Sequence, residues 1–270
     1  MPLYNGGRIG SNNDPTTSVA SGLWTLEEQS VAIRNELWPG LIVTDGLVVH
    51  LDAGDSASYP GSGTTWTDLS GNGNNGTLVN GVGYSSDNLG SLVFDGVDDS
   101  VGTSLNLNGY NIFSVGIWVY APLTGQEEFI LGTASGNGNE QGIYISFYSF
   151  PSHLNNIRLA CWNAGSHPYS VSTSNGIFNQ GGWNYIYFEF NGTTTNSIHK
   201  IVVNNSYTQN ITMQNNFSIH DKNLHLGGII GNYAIGYGNN NIAQVSIYNR
   251  ALTASEITQN FDALRGRYGI

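Results

Sequence analysis

Hydrophobic and polar residues alternate along many short stretches of the chain, which is the pattern of half-buried β-strands. In residues 113–120, one face carries Phe113, Val115, Ile117 and Val119, and Trp118 and Tyr120 point the other way. Residues 183–190 carry large side chains on both faces, which predicts a partly covered outer face. The same pattern predicts strands over residues 46–51, 89–94, 113–120, 129–131, 142–147, 156–162, 183–190, 198–203, 223–226 and 242–248.

Turns rich in glycine and asparagine separate these stretches. The chain of 270 residues contains 36 glycines, roughly twice the usual share. Turn segments such as 71–76, 136–139 and 238–241 recur at short intervals, which favours two packed sheets over strands that alternate with helices. With 39% hydrophobic residues to form a core, the sequence predicts an all-β antiparallel sandwich with an appendage.

The appendage is residues 1–43, which we expect to form an anchoring arm. Thr25 and Glu28 make a capping box for a helix over about residues 25–37, and Pro39 ends it. A helix this short is marginal alone in water, so its apolar residues must pack on another protein or on the chain's own β domain. The expected anchoring residues are Trp24, Leu26, Ile33, Leu37 and Trp38.

A second helix is predicted near the end of the sandwich domain, which spans residues 44–270. Thr253 and Glu256 form its capping box, and Gly266 is placed to terminate it after residue 264. Its narrow apolar stripe of Ile257, Phe261 and Leu264 predicts that it closes one edge of the sandwich.

Charge and targeting signals exclude several classes of function. The chain carries 8 Lys and Arg against 19 Asp and Glu, which disfavours a surface that neutralises nucleic-acid phosphates. The lone Cys161 excludes an intramolecular disulfide and predicts a buried strand thiol. The sequence contains neither a signal-peptide pattern nor a run of eighteen apolar residues, which predicts synthesis in the cytoplasm without a membrane partner.

Several segments resemble, in the right order, the laminin-G-like and concanavalin-A-like jelly rolls. Those segments are residues 46–53, 66–78, 92–101, 113–119, 182–186 and 245–257. The resemblance implies a two-sheet antiparallel jelly-roll sandwich over residues 45–270. Such modules commonly bind carbohydrate or protein, sometimes with the help of calcium.

A second resemblance covers the arm and the tail. Residues 22–39 are similar to a segment that recurs in tailed-phage virion proteins, and residues 259–270 look like the ending of their jelly-roll modules. This resemblance implies a virion location, with other capsid or tail proteins as partners of the arm. Homo-oligomerisation stays open, since only the analogy with trimeric phage fibres suggests it.

The acidic residues do not form a glycosidase pattern. Related glucanases carry acids alternating along one strand, and no such run exists here. Glu127 and Glu128 are adjacent, so a strand would point them to opposite faces. The sequence therefore predicts a protein that is not an enzyme.

Two binding sites are candidates. Asp95, Asp98 and Asp99 offer oxygens for calcium as a cofactor, or their side chains stabilise a turn by hydrogen bonds to the backbone. Trp162, His167 and Tyr169 flank a Gly-Ser loop and form a candidate carbohydrate-stacking site; the alternative is that such aromatics cover a sheet.

Two functions follow from these observations. One is a virion structural protein, either a capsid decoration or head fibre or a tail-associated adhesion protein, whose jelly roll projects outward and contacts host-surface polysaccharide. The other is a free-standing soluble lectin. The apolar arm favours the first, because a soluble lectin has no need of it.

Overall fold

The computed structural model describes residues 41–107, 109–122, 124–133, 142–150, 153–163, 166–192, 197–213, 223–229 and 236–270. The predicted arm helix, with Trp24, Leu26, Ile33, Leu37 and Trp38, lies outside these residues. The chain divides into two compact units, one formed by Thr44–Leu252 and the other by Met1–Val43 together with Thr253–Ile270. No helix in the described segments is both long and apolar enough to span a membrane.

The first unit is built from strands that form two large sheets and one short hairpin. In chain order they are β1 (Leu47–Asp52), β2 (Thr65–Trp66), β3 (Gly76–Val79), β4 (Gly83–Ser85), β5 (Ser91–Val93), β6 (Ser100–Asn106), β7 (Ile112–Ala121), β8 (Glu127–Thr133), β9 (Gly142–Phe150), β10 (His153–Asn163), β11 (Ser166–Ser172), β12 (Gly182–Asn191), β13 (Ser197–Val203), β14 (Tyr207–Met213), β15 (Asn223–Leu226), β16 (Gly228–Ile229), β17 (Gly236–Tyr237) and β18 (Asn241–Tyr248).

Sheet A has the order β14-β13-β12-β7-β18-β5-β4, and β1 also pairs with β18. Sheet B has the order β11-β10-β9-β8-β15-β6-β3-β2, and β16 and β17 form a separate hairpin. The described pairings within both sheets are antiparallel. The predicted all-β, two-sheet antiparallel sandwich is therefore confirmed.

The hydrophobic core lies between the two sheets. Strand β7 contributes Phe113, Val115, Ile117 and Val119, the face that alternation predicted, and sheet B contributes Ile145 and Leu159 among others. The predicted strand over residues 89–94 is shorter than expected, because Asp87–Leu89 forms a 3-10 turn before β5. Burial of these alternating apolar side chains is the main source of the sandwich's stability.

The outer face of sheet A is also covered. Trp118 and Tyr187 are 0% exposed although they point away from the main core. The chain that follows β18 closes over this face: Ser114 Oγ donates a hydrogen bond to the Arg250 carbonyl at 2.7 Å, and the Leu252 N–H donates to Tyr187 Oη at 2.9 Å. Burial raises the pKa of Tyr187 to about 12. Both faces of sheet A are thus packed, as the large side chains on both sides of residues 183–190 predicted.

In the second unit, helix α1 (Ala254–Tyr268) begins at the predicted capping box. The Glu256 N–H donates to Thr253 Oγ1 at 3.3 Å, and the Thr253 N–H donates to Glu256 Oε2 at 2.8 Å. The expected end near Gly266 is wrong, because the helix runs on through that glycine. Gly269, with φ 71°, takes the left-handed C-cap instead, and its N–H donates to the Arg265 carbonyl.

Residues that precede the sandwich are bonded to helix α1. The Val43 N–H donates to Asn260 Oδ1 at 2.8 Å, and Gln259 Nε2 donates to the Leu41 carbonyl at 2.8 Å. Asn260 is buried, together with Ile257 and Phe261 of the predicted apolar stripe. Leu41 and Val43, which precede the sandwich, are therefore held by hydrogen bonds to side chains of the helix.

Candidate carbohydrate-binding site

The outer face of sheet B carries aromatic and charged side chains where β8, β9 and β10 lie side by side. On β9, Ile145 and Phe147 enter the main core, whereas Tyr144 belongs to a separate small cluster on the other face with Ala160 and Phe129. We call the set on this outer face the Arg158 cluster. Its members are Glu127, Phe129, Tyr144, Ser146, Tyr148 and Arg158.

Sheet register brings the polar members of the Arg158 cluster together. Arg158 pairs with Ser146, and Glu127 pairs with Tyr148 across the neighbouring strand. Arg158 Nη1 lies 3.1 Å from Glu127 Oε2, and Ser146 Oγ donates to Glu127 Oε1 at 2.7 Å. The side chains of Arg158 and Glu127 remain 27% and 17% exposed, so the ion pair lies at the protein surface.

Two tyrosine rings flank the Arg158 guanidinium. Its central carbon is 5.6 Å from the ring centroid of Tyr144 and 5.3 Å from that of Tyr148. Each contact of this kind stabilises by about 0.5–1 kcal/mol at an exposed site. Together with the Glu127 ion pair, they fix the guanidinium and the two rings in one arrangement.

Phe129 supports the cluster from the side of β8. Its ring lies 5.2 Å from that of Tyr144, in a tilted arrangement. Strand β17 approaches it so closely that a Cβ added at Gly236 would stand 2.2 Å from the Phe129 ring. Only glycine permits this packing, so the β16–β17 hairpin rests directly against the aromatic end of the cluster.

The Arg158 cluster has the chemistry of a sugar-binding surface. Aromatic rings pack against the apolar faces of pyranose rings, and neighbouring hydroxyl, carboxylate and guanidinium groups bond sugar hydroxyls. Sequence reasoning missed this set. The alternation of Tyr144, Ser146 and Tyr148 was a signal for a two-faced strand, but the partners of that strand were not readable from it.

The carbohydrate-binding residues expected from the sequence lie on the neighbouring strands of the same sheet. Trp162 is in β10 opposite Gly142, and Tyr169 is in β11 opposite Cys161. His167 is also in β11. The side chains of these residues and of Cys161 lie outside the described part of the structure, so their roles stay predictions.

The three aspartates expected to bind a metal meet in the loop between β5 and β6. Asp95, Asp98 and Asp99 each bring a carboxylate oxygen within 4.8 Å of the others. Turn-stabilising bonds are present as well: Asp95 Oδ1 accepts from the Val97 N–H at 2.8 Å, and Asp99 Oδ2 accepts from the Asp95 N–H at 3.1 Å. Burial raises the pKa of Asp99, and the bond from the Asp95 N–H opposes that rise.

Glu127 and Glu128 point to opposite sides of β8, as strand alternation predicted. Glu127 belongs to the Arg158 cluster, whereas the Glu128 carboxylate accepts from Thr124 Oγ1 and from the Asn239 N–H. Glu189, on sheet A, pairs with Lys200 at 3.2 Å. These three acids therefore do not face one another across a common cleft, as a pair of glycosidase carboxylates must.

A protein-family model described as the concanavalin A-like lectin/glucanases superfamily matches residues 94–258, which is more than half of the chain. No curated protein sequence matches the chain.

Many solved structures share the fold. One is a structure of botulinum neurotoxin type C, whose cell entry depends on interaction with two ganglioside molecules. It matches this chain with a TM-score of 0.61 and 15% sequence identity, and the match covers 82% of this chain and 52% of the toxin chain. The binding domain of botulinum neurotoxin DC in complex with rat synaptotagmin II gives a TM-score of 0.60, 15% identity and the same coverage. Trypanosoma rangeli sialidase in complex with sialic acid matches with a TM-score of 0.59 and 14% sequence identity, and the match covers 86% of this chain and 35% of the sialidase chain.

This chain spans about half of each matched toxin chain and about a third of the sialidase chain, and at these identities the likeness concerns the fold. The sandwich topology and the family match agree with each other. The chain belongs to the concanavalin A-like lectin/glucanases superfamily.

Proposed function

We propose that the sandwich binds carbohydrate through the Arg158 cluster and carries out no covalent chemistry. The observation that carries the proposal is the pair of tyrosine rings beside Arg158 on the outer face of sheet B in a lectin-family fold, where Tyr148 and Arg158 are half-buried and Tyr144 is 7% exposed. An aromatic surface with adjacent hydrogen-bonding groups is what a sugar ring requires.

The charge of the site favours a neutral glycan. Glu127 neutralises Arg158 locally, and the whole chain carries a formal charge of -11. An anionic polysaccharide would be repelled by this field at low salt. We therefore expect neutral sugars to bind more tightly than sialylated or uronic-acid sugars.

The ligands of the structural neighbours support carbohydrate as the class of ligand, and they do not bear on the expected preference for neutral sugars. Gangliosides and sialic acid are named for two of them, and a third is bound to a protein receptor. Because this chain spans about half of each toxin domain, these ligands are not assigned to the shared half. The site residues are proposed from this chain's own geometry.

A glycan array probed with the full chain tests the proposal, followed by titration calorimetry with the best neutral hit. Tyr148→Ala removes one stacking ring and is expected to weaken binding about tenfold, equivalent to roughly 1.4 kcal/mol. Tyr84→Ala is the matched control, because Tyr84 is an exposed tyrosine on the edge strand of the other sheet. Equal affinities for the two variants would remove the Arg158 cluster as the site.

We also propose that the chain is a structural protein of a tailed-phage virion, with residues 1–43 attached to the particle and the sandwich displayed outward. It would serve as a capsid decoration or head fibre, or as a tail-associated adhesion protein. Support comes from the resemblance of residues 22–39 and 259–270 to phage virion proteins. Gln259 and Asn260 of the second segment bond Leu41 and Val43, the described residues at the end of the arm.

Immunogold electron microscopy of purified particles tests this location. Gold on heads indicates a decoration or head fibre, and gold on tails indicates an adhesion protein. A chain lacking residues 1–43 is expected to keep glycan binding but to be absent from particles. Gold nowhere on particles, with glycan binding intact, favours the alternative of a free-standing lectin.

A further inference from the structure

The edges of the two large sheets are protected to different degrees. As far as the structure describes them, sheet A ends at β4 and β14, and sheet B ends at β2 and β11. An edge strand presents unpaired backbone N–H and C=O groups to other chains, and proteins usually shorten, cover or interrupt such a strand. Strands β2 and β4 have only two and three residues. Strand β11 contains Pro168, which has no N–H to donate.

Strand β1 has an open side beyond its pairing with β18, and a loop covers that side. Asp68 Oδ1 accepts from the His50 N–H at 2.8 Å, and the Leu69 N–H donates to the His50 carbonyl at 2.8 Å. Asn74 Nδ2 donates to the Val48 carbonyl at 2.9 Å. Because the loop already bonds these backbone groups of β1, they are closed to another strand.

Strand β14 has none of these protections. Its seven residues, Tyr207–Met213, include no charged residue, proline or glycine. They pair with β13 in an unbroken register from Val203↔Tyr207 to Ser197↔Met213, so no bulge turns the edge away. Among the described strands, only β13 pairs with β14. A long, regular and uncharged edge strand of this kind pairs readily with another strand.

The sequence of β14 is complementary to itself when two copies pair antiparallel about Asn210, the middle residue of the strand. Thr208 of one copy then lies opposite Thr212 of the other, and these side chains are exposed on the face that Asn210 shares. On the opposite face, Gln209 lies opposite Ile211. Opposed threonines form a favourable cross-strand pair. The strand therefore matches a second copy of itself along its full length.

Charge does not oppose this pairing at close range. The whole chain has a formal charge of -11, so a neutral strip favours contact between two copies. The residue beside Asn210 in β13 is Lys200, which pairs with Glu189 at 3.2 Å. Three strand spacings, about 14 Å, would separate the two Lys200 backbones across the junction. That separation exceeds the Debye length of about 8 Å at physiological salt.

We propose that two copies of the chain associate through β14, in antiparallel pairing about Asn210, so that their A sheets become one continuous sheet. The symmetric pairing closes at two copies, because each copy uses its own open edge. One strand from each copy makes a small interface, so we expect a dimer that dissociates in the micromolar range. The pairing involves the edge of sheet A and is independent of the glycan site on sheet B.

Sedimentation equilibrium of the full chain, from about 1 to 200 μM, measures self-association. We expect the average mass to rise from that of one chain to that of two. Asn210→Glu places two carboxylates opposite each other at the centre of the dimer, and within its own chain it faces Lys200. This variant is expected to weaken self-association at least tenfold while the β13–β14 pairing is kept. Thr77→Glu is the matched control, because it makes the same charge change at an exposed strand residue of sheet B.

Mixing two variants tests whether the partner is a second copy. Asn210→Lys alone is expected to be monomeric, as Asn210→Glu is. An equimolar mixture of the two is expected to restore a dimer that contains one copy of each, because opposite charges then face each other. Native mass spectrometry distinguishes this mixed dimer from either dimer of identical copies.

Disulfide crosslinking tests the register. Asn210→Cys is expected to crosslink two copies under mild oxidation, because the Cα atoms of opposed residues lie about 4.5–5.5 Å apart, within disulfide range. Thr208→Cys is the control, since its counterpart lies four residues along the facing strand, about 14 Å away. The unsubstituted chain, which contains Cys161, gives the background.

Three results would overturn the proposal. A monomer at every concentration would leave this edge to a strand of another protein or to none. Self-association that Asn210→Glu and Thr77→Glu affect equally would place the contact elsewhere on the chain. Failure of the mixture to form the mixed dimer, or equal crosslinking of Thr208→Cys and Asn210→Cys, would exclude pairing about Asn210. Because no sugar is present, none of these results depends on whether the sandwich binds carbohydrate.

Discussion

His199 makes the stability of the sandwich sensitive to acid. Its side chain is 0% exposed, with the rings of Phe188 and Phe190 centred 6.4 and 5.0 Å from its own. Its Nδ1 atom accepts a hydrogen bond from the Asn191 N–H at 3.2 Å. Burial lowers the pKa of His199 to about 4. The folded protein therefore keeps this imidazole neutral at pH values where an unfolded chain already protonates it.

The sign and size of the effect follow from the two pKa values. Well above pH 6.5 His199 is neutral in both states and contributes no pH dependence. Between pH 6.5 and about 4 the unfolded state binds more protons, so the free energy of unfolding falls as the pH falls, and the full penalty is reached below about 4. Between pH 7 and pH 5 the loss is about 2 kcal/mol.

The variant His199→Gln isolates this contribution. Glutamine does not titrate, and its amide oxygen can accept the Asn191 N–H in place of Nδ1. Burial also lowers the pKa of His50 and His225, so the wild type loses stability through these groups as well. The test therefore compares how steeply the free energy of unfolding falls with pH in the wild type and in His199→Gln.

Guanidinium unfolding at pH 7.5, 7.0, 6.0, 5.5 and 5.0 measures that difference. We expect the wild type to lose about 2 kcal/mol more than His199→Gln between pH 7 and pH 5. Near-ultraviolet circular dichroism at pH 7.5 checks that the variant keeps native packing. Parallel pH profiles for the two proteins would refute the reasoning, because His199 would then titrate alike in the folded and unfolded states.

Two further substitutions test packing and capping. Gly227→Ala places a Cβ 2.1 Å from the buried Phe94 ring at a φ of +74°, so we expect the free energy of unfolding, measured in urea, to fall by about 3 kcal/mol or more. The control is Gly73→Ala, which has a φ of +75° but nothing within 4 Å of the added Cβ, so only the left-handed backbone costs stability, about 1 kcal/mol. Equal losses in the two variants would contradict the clash. Thr253→Ala removes the N-cap of helix α1, and we expect it to lower the stability of the helix by about 1 kcal/mol, as measured by amide hydrogen exchange. Thr258→Ala, inside the same helix, should leave the exchange nearly unchanged.

The long strands were predictable because packing on both faces imposes a strong hydrophobic pattern. Strands β7, β12 and β18 were recognised from their side chains alone. Strand β14 was missed because it lies at the edge of sheet A and carries polar residues, so its structure depends on pairing with β13. The end of helix α1 was misplaced because an exposed glycine inside a helix costs only about 1 kcal/mol, and Gly266 meets nothing within 4 Å.

The candidate sites were predictable only where they are local in sequence. Asp95, Asp98 and Asp99 fall within one turn, so their proximity follows from the chain itself. The Arg158 cluster joins residues from β8, β9 and β10, and Glu127 meets Arg158 only through the register of three strands. A single sequence does not specify that register.

The pairing of β1 and β5 with β18 has a consequence for how the chain folds. Leu47 pairs with Tyr248, and Leu92 pairs with Ile242, so the middle of sheet A joins the two ends of the sandwich sequence. At 5–20 residues per second, a ribosome takes about 10–40 s to travel from β1 to β18. Until β18 is made, the apolar strands β1, β5 and β7 lack a partner in sheet A and are exposed to aggregation. An abundant chaperone, or expression at low temperature where association of apolar surfaces is weaker, is therefore expected to raise the yield of folded protein.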